Sequence, residues 1–201
     1  MSGKRIVFIH GSPRLQGNTR AAARAAMDAA RACGAEVAEI EAVKLDFRAP
    51  GCIGCHKCQE SREYACALGD ELGRAVAGLP AHDVIVLCTP VFWMSYTAQL
   101  KMFIDRMYSL FKFTPDGIRT PLARKTLALL AVAGGPIEDN LDLVERQLRV
   151  PADMVECCFE SCLIPFAPWE PGALAADAEA MARAAAFGRL LAGCPDEPGA
   201  A

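Results

Sequence analysis

The stretch IVFIHGSPRLQGNT, residues 6–19, opens on four consecutive apolar residues and closes on Asn18-Thr19. An apolar run with no alternation is what a strand covered on both faces requires, because neither side meets water. Residues 18–33 then read as a helix. Ala22, Ala25, Ala26, Ala29, Ala30 and Cys33 share one face, Arg20, Arg24, Asp28 and Arg31 lie mostly off it, and Gly34 stops it. Small inner residues let such a helix lie close to a sheet. Strand, glycine-containing loop and helix in that order make half of a parallel crossover unit.

The same alternation runs through the chain. Residues 37–43, 84–88, 126–132 and 160–166 read as four more strands. Helices are predicted over 70–79, over 97–111, from Asp139 with an interruption at Pro151, and over 172–191, with a frayed tail from about residue 195. Pro165 lacks a backbone donor and places the last strand at a sheet edge. Five strands joined by helices predict one α/β domain over residues 1–201: a doubly wound, five-stranded parallel sheet of order 2-1-3-4-5 with helices on both faces.

Composition narrows the function. The 201 residues are 53 % hydrophobic and 22 % charged, with 21 Lys+Arg against 24 Asp+Glu and a net charge of −3. No basic surplus exists to neutralise a run of phosphates, which argues against nucleic acid as a partner. The apolar run behind Lys4-Arg5 is too short for a signal peptide, and no segment approaches the roughly 20 apolar residues of a spanning helix. The expected setting is the cytoplasm, with no membrane partner. There, clustered cysteines serve metal or redox chemistry more often than structural disulfides.

In a doubly wound sheet, ligands sit beyond the carboxyl ends of the strands where strand order reverses. Two loops meet there. The first, Gly11 to Thr19, runs into a helix N-terminus whose free N–H groups favour an anion; Ser12, Asn18 and Thr19 add donors, and Arg14 adds charge. It is neither G-x-G-x-x-G nor a P-loop, since Asn18-Thr19 stands where Lys-Ser/Thr is needed. A terminal monophosphate suits it better than a dinucleotide or triphosphate. A plain N-cap at Asn18 or Thr19 is the alternative, and it leaves Ser12, Arg14 and Gly17 without a role. The second loop, Pro90-Val91-Phe92-Trp93-Met94-Ser95, is aromatic where loops are usually polar, as expected of a wall for a flat ring; filling of the core or of a subunit interface is the alternative. Gly134, after the fourth strand, offers a third, backbone wall.

Gly-Ser-Pro-Arg followed by Gly-Asn-Thr, with Pro90 to Trp93 and the run Leu100-Lys101-Met102-Phe103-Ile104-Asp105-Arg106, resembles the NADPH-dependent FMN reductase family of the flavodoxin-like fold. The resemblance implies FMN, with its phosphate at Ser12, Arg14, Gly17, Asn18 and Thr19. It places the ring along Pro90, Val91, Phe92, Trp93, Met94 and Ser95, with Gly134 near its outer edge. It further implies NAD(P)H as co-substrate, a homodimer or homotetramer, and no protein acid–base residue, since the flavin carries the chemistry.

Four of the ten cysteines follow C-x2-C-x2-C-x7-C: Cys52, Cys55, Cys58 and Cys66. Thiolates at steps of three in a glycine-containing loop suit a compact cluster, and the spacing is similar to that of the iron–sulfur flavoprotein branch of the same family, which implies a [4Fe–4S] cluster. Zinc and free redox-active thiols are the alternatives. Cys157, Cys158 and Cys162 read as core residues. Three functions follow: an NAD(P)H-dependent flavin oxidoreductase passing electrons to a quinone, flavin or metal; an iron–sulfur flavoprotein exchanging single electrons with a ferredoxin; and a non-catalytic FMN-binding redox sensor.

Overall fold

The computed structural model describes residues 3–194. Its central sheet is built from β1 (Arg5–His10), β2 (Glu36–Glu41), β3 (Val84–Pro90), β6 (Thr126–Val132) and β7 (Cys158–Ile164), all parallel, in the order β2-β1-β3-β6-β7. That is the predicted 2-1-3-4-5 arrangement. Between the sheet strands lie β4 (Lys112–Thr114) and β5 (Gly117–Arg119), a separate antiparallel hairpin. The helices are α1 (Asn18–Ala32), α2 (Lys57–Glu60), α3 (Glu71–Ala77), α4 (Ala98–Arg106), α5 (Asp142–Met154) and α6 (Ala178–Ala192).

The two-residue period of the strands sorts the core into two layers. Ile6 and Phe8 of β1 join Val84, Val86 and Cys88 of β3 beneath α1 and α6, while Val7, Ile9, Ile85 and Leu87 face α3, α4 and α5. The alanine face of α1 is met in part: Ala22, Ala26 and Ala30 are fully buried, Ala25, Ala29 and Cys33 only half-buried, and Ala23 and Arg20, not counted on that face, are buried as well. Close approach extends to the neighbouring helix, where a Cβ on Gly188 of α6 would lie 2.0 Å from the Ala26 carbonyl oxygen.

Several boundaries differ from the prediction. The last strand runs 158–164 rather than 160–166, so Pro165 falls just beyond it and no ladder donor is missing. The strand is nevertheless at the edge. Pro151 does not interrupt α5, which continues to Met154. The missing donor falls in the last turns, and buried Leu148 and Ala152 hold the segment against the sheet. Asp139 has a left-handed φ of 54°, so the regular helix starts at Asp142. The long predicted helix over 97–111 ends at Arg106 and tightens into a 3₁₀ turn over 107–110. The helix predicted from 172 starts at Ala178, after a 3₁₀ turn over 173–176. The β4–β5 hairpin was not foreseen, because three-residue strands are too short to show a period; the turn signal Thr114-Pro115-Asp116-Gly117 was its one local mark. Of the three cysteines read as core, Cys157 and Cys162 are buried and Cys158 is exposed. Cys33 and Cys194 are paired in a disulfide across 161 residues, a separation that no spacing rule reads. The predicted frayed tail lies outside the described residues. No helix among the described residues is long and apolar enough to cross a membrane.

Candidate functional site

β2 lies on one side of β1 and β3 on the other, so the chain reverses direction across the sheet between the first and third strands. The loops leaving β1 and β3 are held together there. Thr97, fully buried, caps α4 by accepting from the Leu100 amide at 3.2 Å and donates its hydroxyl to the Gly11 carbonyl at 2.6 Å. Gly11 is required for this approach, since a Cβ would sit 2.5 Å from Leu100 Cβ.

Beyond these strand ends lies a cavity of about 400 Å³ lined by four groups of residues. One end is Ser12, Arg14, Gly17, Asn18 and Thr19. Gly17 is the N-cap of α1, and among the described residues no side chain caps that helix, which leaves its first N–H groups open. A Cβ on Gly17 would lie 3.0 Å from Arg14 Cβ and 3.6 Å from Ser12 Oγ, filling the cradle. Ser12 Oγ accepts from the Arg14 amide at 3.2 Å and fixes the loop. The second wall is Pro90, Val91, Phe92 and Trp93, and the third is Val132, Ala133 and Gly134 at the end of β6.

Met94 and Ser95 are not part of this lining. Phe92 and Ser95 exchange two backbone hydrogen bonds, of 3.0 and 3.1 Å, closing a two-residue turn in which Trp93 (φ 49°) and Met94 (φ 58°) are both left-handed. Such turns favour Asn-Gly, so Trp-Met carries strain of about 1–2 kcal/mol per residue. The turn thrusts Trp93 out, 96 % exposed, and sends the Ser95 hydroxyl toward Gln147 Oε1 at 3.2 Å.

A further wall was missed by the sequence reading: Ala167, Pro168 and Trp169, from the loop after β7. Its signal was available, since Phe166-Ala167-Pro168-Trp169 is another aromatic, proline-stiffened loop at the carboxyl end of a strand. Asn18 anchors it, donating Nδ2–H to the Pro168 carbonyl at 2.6 Å and accepting from the Leu174 amide at 3.1 Å. Arg14 Nη1 donates to the Trp169 carbonyl at 3.4 Å. The side chain of Asn18 is thereby committed to the neighbouring loop. The uncapped helix end and the Gly17 cradle suit a phosphate monoester, and the aromatic lips suit a flat ring: the residues present fit FMN.

The four cysteines of the motif border a second, small cavity of about 20 Å³. Gly51, Gly54 and His56 all have left-handed φ, which coils the loop and brings Cys52, Cys55 and Cys58 to the same side as Cys66. Three of these sulfurs accept N–H groups: Cys52 from the Gly54 amide at 3.4 Å, Cys58 from Gln59 Nε2 at 3.7 Å and Cys66 from Arg106 Nη1 at 3.2 Å. Among the described residues no three His, Cys, Asp or Glu side chains converge on a point that could hold a single metal ion. A four-iron cluster, bound by one thiolate per iron, spreads its sulfurs more widely than zinc does. Cys52 and Cys55 are exposed, so the loop has solvent to move into. Thiols are the donors that such a cluster takes, and all four line this one cavity. His56, on the same cavity, stands 3.4 Å by Nδ1 from the Tyr108 hydroxyl.

A doubly wound sheet with a mononucleotide-sized cavity at its reversal point defines a flavodoxin-like protein. The family model for NADPH-dependent FMN reductase matches residues 4–150, and the chain belongs to that family of flavin oxidoreductases. It is 34 % identical over 102 residues to an iron–sulfur flavoprotein of Methanocaldococcus jannaschii, covering 51 % of each chain. It is 32 % identical over 139 residues to an iron–sulfur flavoprotein of Archaeoglobus fulgidus, covering 67 % of this chain and 58 % of that one. The chain thus spans about half the length of the curated relatives it matches. In structure it is similar to an NAD(P)H:quinone oxidoreductase from Methanothermobacter marburgensis, with a TM-score of 0.70 at 16 % identity over 94 % of this chain and 99 % of that one.

Proposed function

We propose that the chain binds FMN between the α1 N-terminus and the aromatic loops and works as an NAD(P)H-dependent oxidoreductase with a small acceptor, such as a quinone, a free flavin or a metal ion. The carrying observation is a single cavity that joins an uncapped helix end to aromatic lips. When bound, FMN supplies hydride acceptance from NAD(P)H and release of the two electrons to the acceptor. The protein supplies position. The Ser12–Thr19 loop and the helix end hold the phosphate, Phe92, Trp93 and Trp169 flank the ring, and the Thr97–Gly11 hydrogen bond keeps the two loops in register. In the test, purified protein is titrated with FMN and then given NADH or NADPH without oxygen. Stoichiometric flavin binding followed by bleaching of its absorbance is expected; colourless protein after FMN addition, or flavin that neither nucleotide bleaches, overturns the proposal.

A second reading rests on the cysteine cavity. Cys52, Cys55, Cys58 and Cys66 would hold a [4Fe–4S] cluster, and electrons would leave singly to a ferredoxin-like partner. Four thiols on one cavity, three of them facing N–H donors, support it, as does the likeness to proteins named iron–sulfur flavoproteins. Iron and acid-labile sulfide near four per chain after anaerobic purification is the expected result. Near-zero iron removes the cluster and leaves the FMN reading standing.

A further inference from the structure

Arg106 ends α4 on the floor of the cysteine cavity and is 1 % exposed. Its guanidinium forks onto Asp70, at 3.0 Å from Nη1 to Oδ1 and 2.8 Å from Nη2 to Oδ2. The remaining donors go to the cysteine motif. Nη1 reaches Cys66 Sγ at 3.2 Å, Nη2 reaches the Ala49 carbonyl at 2.9 Å, and Nε donates to the Gly51 carbonyl, one residue before Cys52. Asp70 is itself held by the Gly73 amide at 2.9 Å and the Arg48 amide at 2.8 Å. Gly73 leaves room for the group: a Cβ there would stand 3.1 Å from Asp70 Oδ1 and 3.2 Å from Cys66 Cβ.

A lone buried arginine needs only a counter-ion. This one spends its other donors on both arms of the cysteine motif, 55 residues away along the chain at Gly51 and 40 away at Cys66. A guanidinium can do this because its donors form a rigid planar fork, which a lysine ammonium lacks. Its charge also lies beside a sulfur that would ligate iron. A positive charge and an N–H donor at that position favour the state with one more electron.

We propose that Arg106, locked by Asp70, is the positioning residue of the cysteine cavity: it holds the Cys52 arm against Cys66 and raises the reduction potential of the cluster that the four sulfurs bind. The positioning part stands on the geometry alone, while the potential part rests on the cluster reading.

The experiment separates the two. In the metal-free chain, Arg106→Lys and Asp70→Asn are compared with wild type by amide hydrogen exchange. Asn caps a helix as well as Asp, so Asp70→Asn retains the start of α3. Exchange over residues 48–56 and 64–72 is expected to rise at least about tenfold in both variants, with β1 and β3 unchanged. Unchanged exchange in those two segments overturns the positioning role. In reconstituted protein, Arg106→Gln is expected to lower the cluster potential, Asp70→Asn to raise it, and Arg106→Lys to stay near wild type. Should Arg106→Gln fail to fold, the contrast between Asp70→Asn and Arg106→Lys carries the test. A loosened loop alone would move all variants in one direction, and that result overturns the electrostatic role. If wild type takes up no iron and sulfide, the cluster reading and the potential claim fall together, and hydrogen exchange still decides the positioning role.

Discussion

His10 ends β1 beside the loop that lines the larger cavity, almost fully buried, with Nε2 3.1 Å from Glu39 Oε2. Burial, helped by the nearby Arg20 guanidinium, pushes its pKa down to about 4 against the attraction of Glu39 and Glu41. The unfolded chain takes up this proton near pH 6.5 and the folded chain only near pH 4. The His10 contribution is therefore complete above pH 6.5 and is lost as pH falls toward 4, by about 3 kcal/mol. Urea midpoints measured from pH 7 to pH 4 should fall, and His10→Gln should flatten that slope. Asp70 acts in a lower window. Burial pushes its carboxyl up, but the hydrogen bond from Arg106 and those from the Arg48 and Gly73 amides outweigh this and hold it at about 2. Its contribution is present above the ordinary carboxylate value and is lost only as pH falls from about 4 to about 2.

Among the elements, the start of α1 carries the clearest consequence. Gly17 has φ of −81°, a conformation open to any residue, so its glycine reflects space and not backbone strain. Gly17→Ala should cost about 1 kcal/mol of stability, because the new methyl meets Arg14 Cβ at 3.0 Å and the Arg14 carbonyl oxygen at 3.1 Å and the loop must shift by a few tenths of an ångström. The added methyl occupies the cradle, and FMN affinity should fall about tenfold, the equivalent of ~1.4 kcal/mol. Flavin fluorescence titration beside a thermal melt measures both; an unchanged affinity would show that the cradle is not where the phosphate sits. The turn over 92–95 shows the opposite balance. There a strained backbone is kept, and what it achieves is the exposure of Trp93 at the cavity mouth.

For the molecule as a whole, α1 and α6 are joined twice. Gly188 permits backbone contact with Ala26, and the Cys33–Cys194 disulfide ties their C-terminal ends. Gly188→Ala should cost at least about 2 kcal/mol, because the new methyl meets backbone rather than a side chain able to turn away. Differential scanning calorimetry should show a fall in Tm of several degrees. Closing a loop of 161 residues restricts the unfolded chain, so Cys194→Ser should cost up to about 5 kcal/mol under non-reducing conditions and nothing in excess dithiothreitol. An unchanged wild-type Tm on adding reductant would show that the disulfide contributes nothing.

What the amino-acid sequence determined by itself is the parallel sheet, its strand order, the two loops at its reversal point and the cysteine spacing. Each is carried by neighbours in the chain: apolar runs such as Ile6 to Ile9, the glycine loop into α1, cysteines three residues apart. What only the tertiary structure decided joins residues far apart. Asn18 meets Pro168 across 150 residues and brings the Trp169 wall to the cavity; Arg106 meets Asp70 across 36. The turn of Met94 and Ser95 away from the cavity is equally hidden, since Trp-Met gives no local sign of a left-handed pair. Local propensity states what a segment becomes. Which distant donors and acceptors are then satisfied is decided when the helices pack, because buried polar groups must pair with whatever the packing brings within reach.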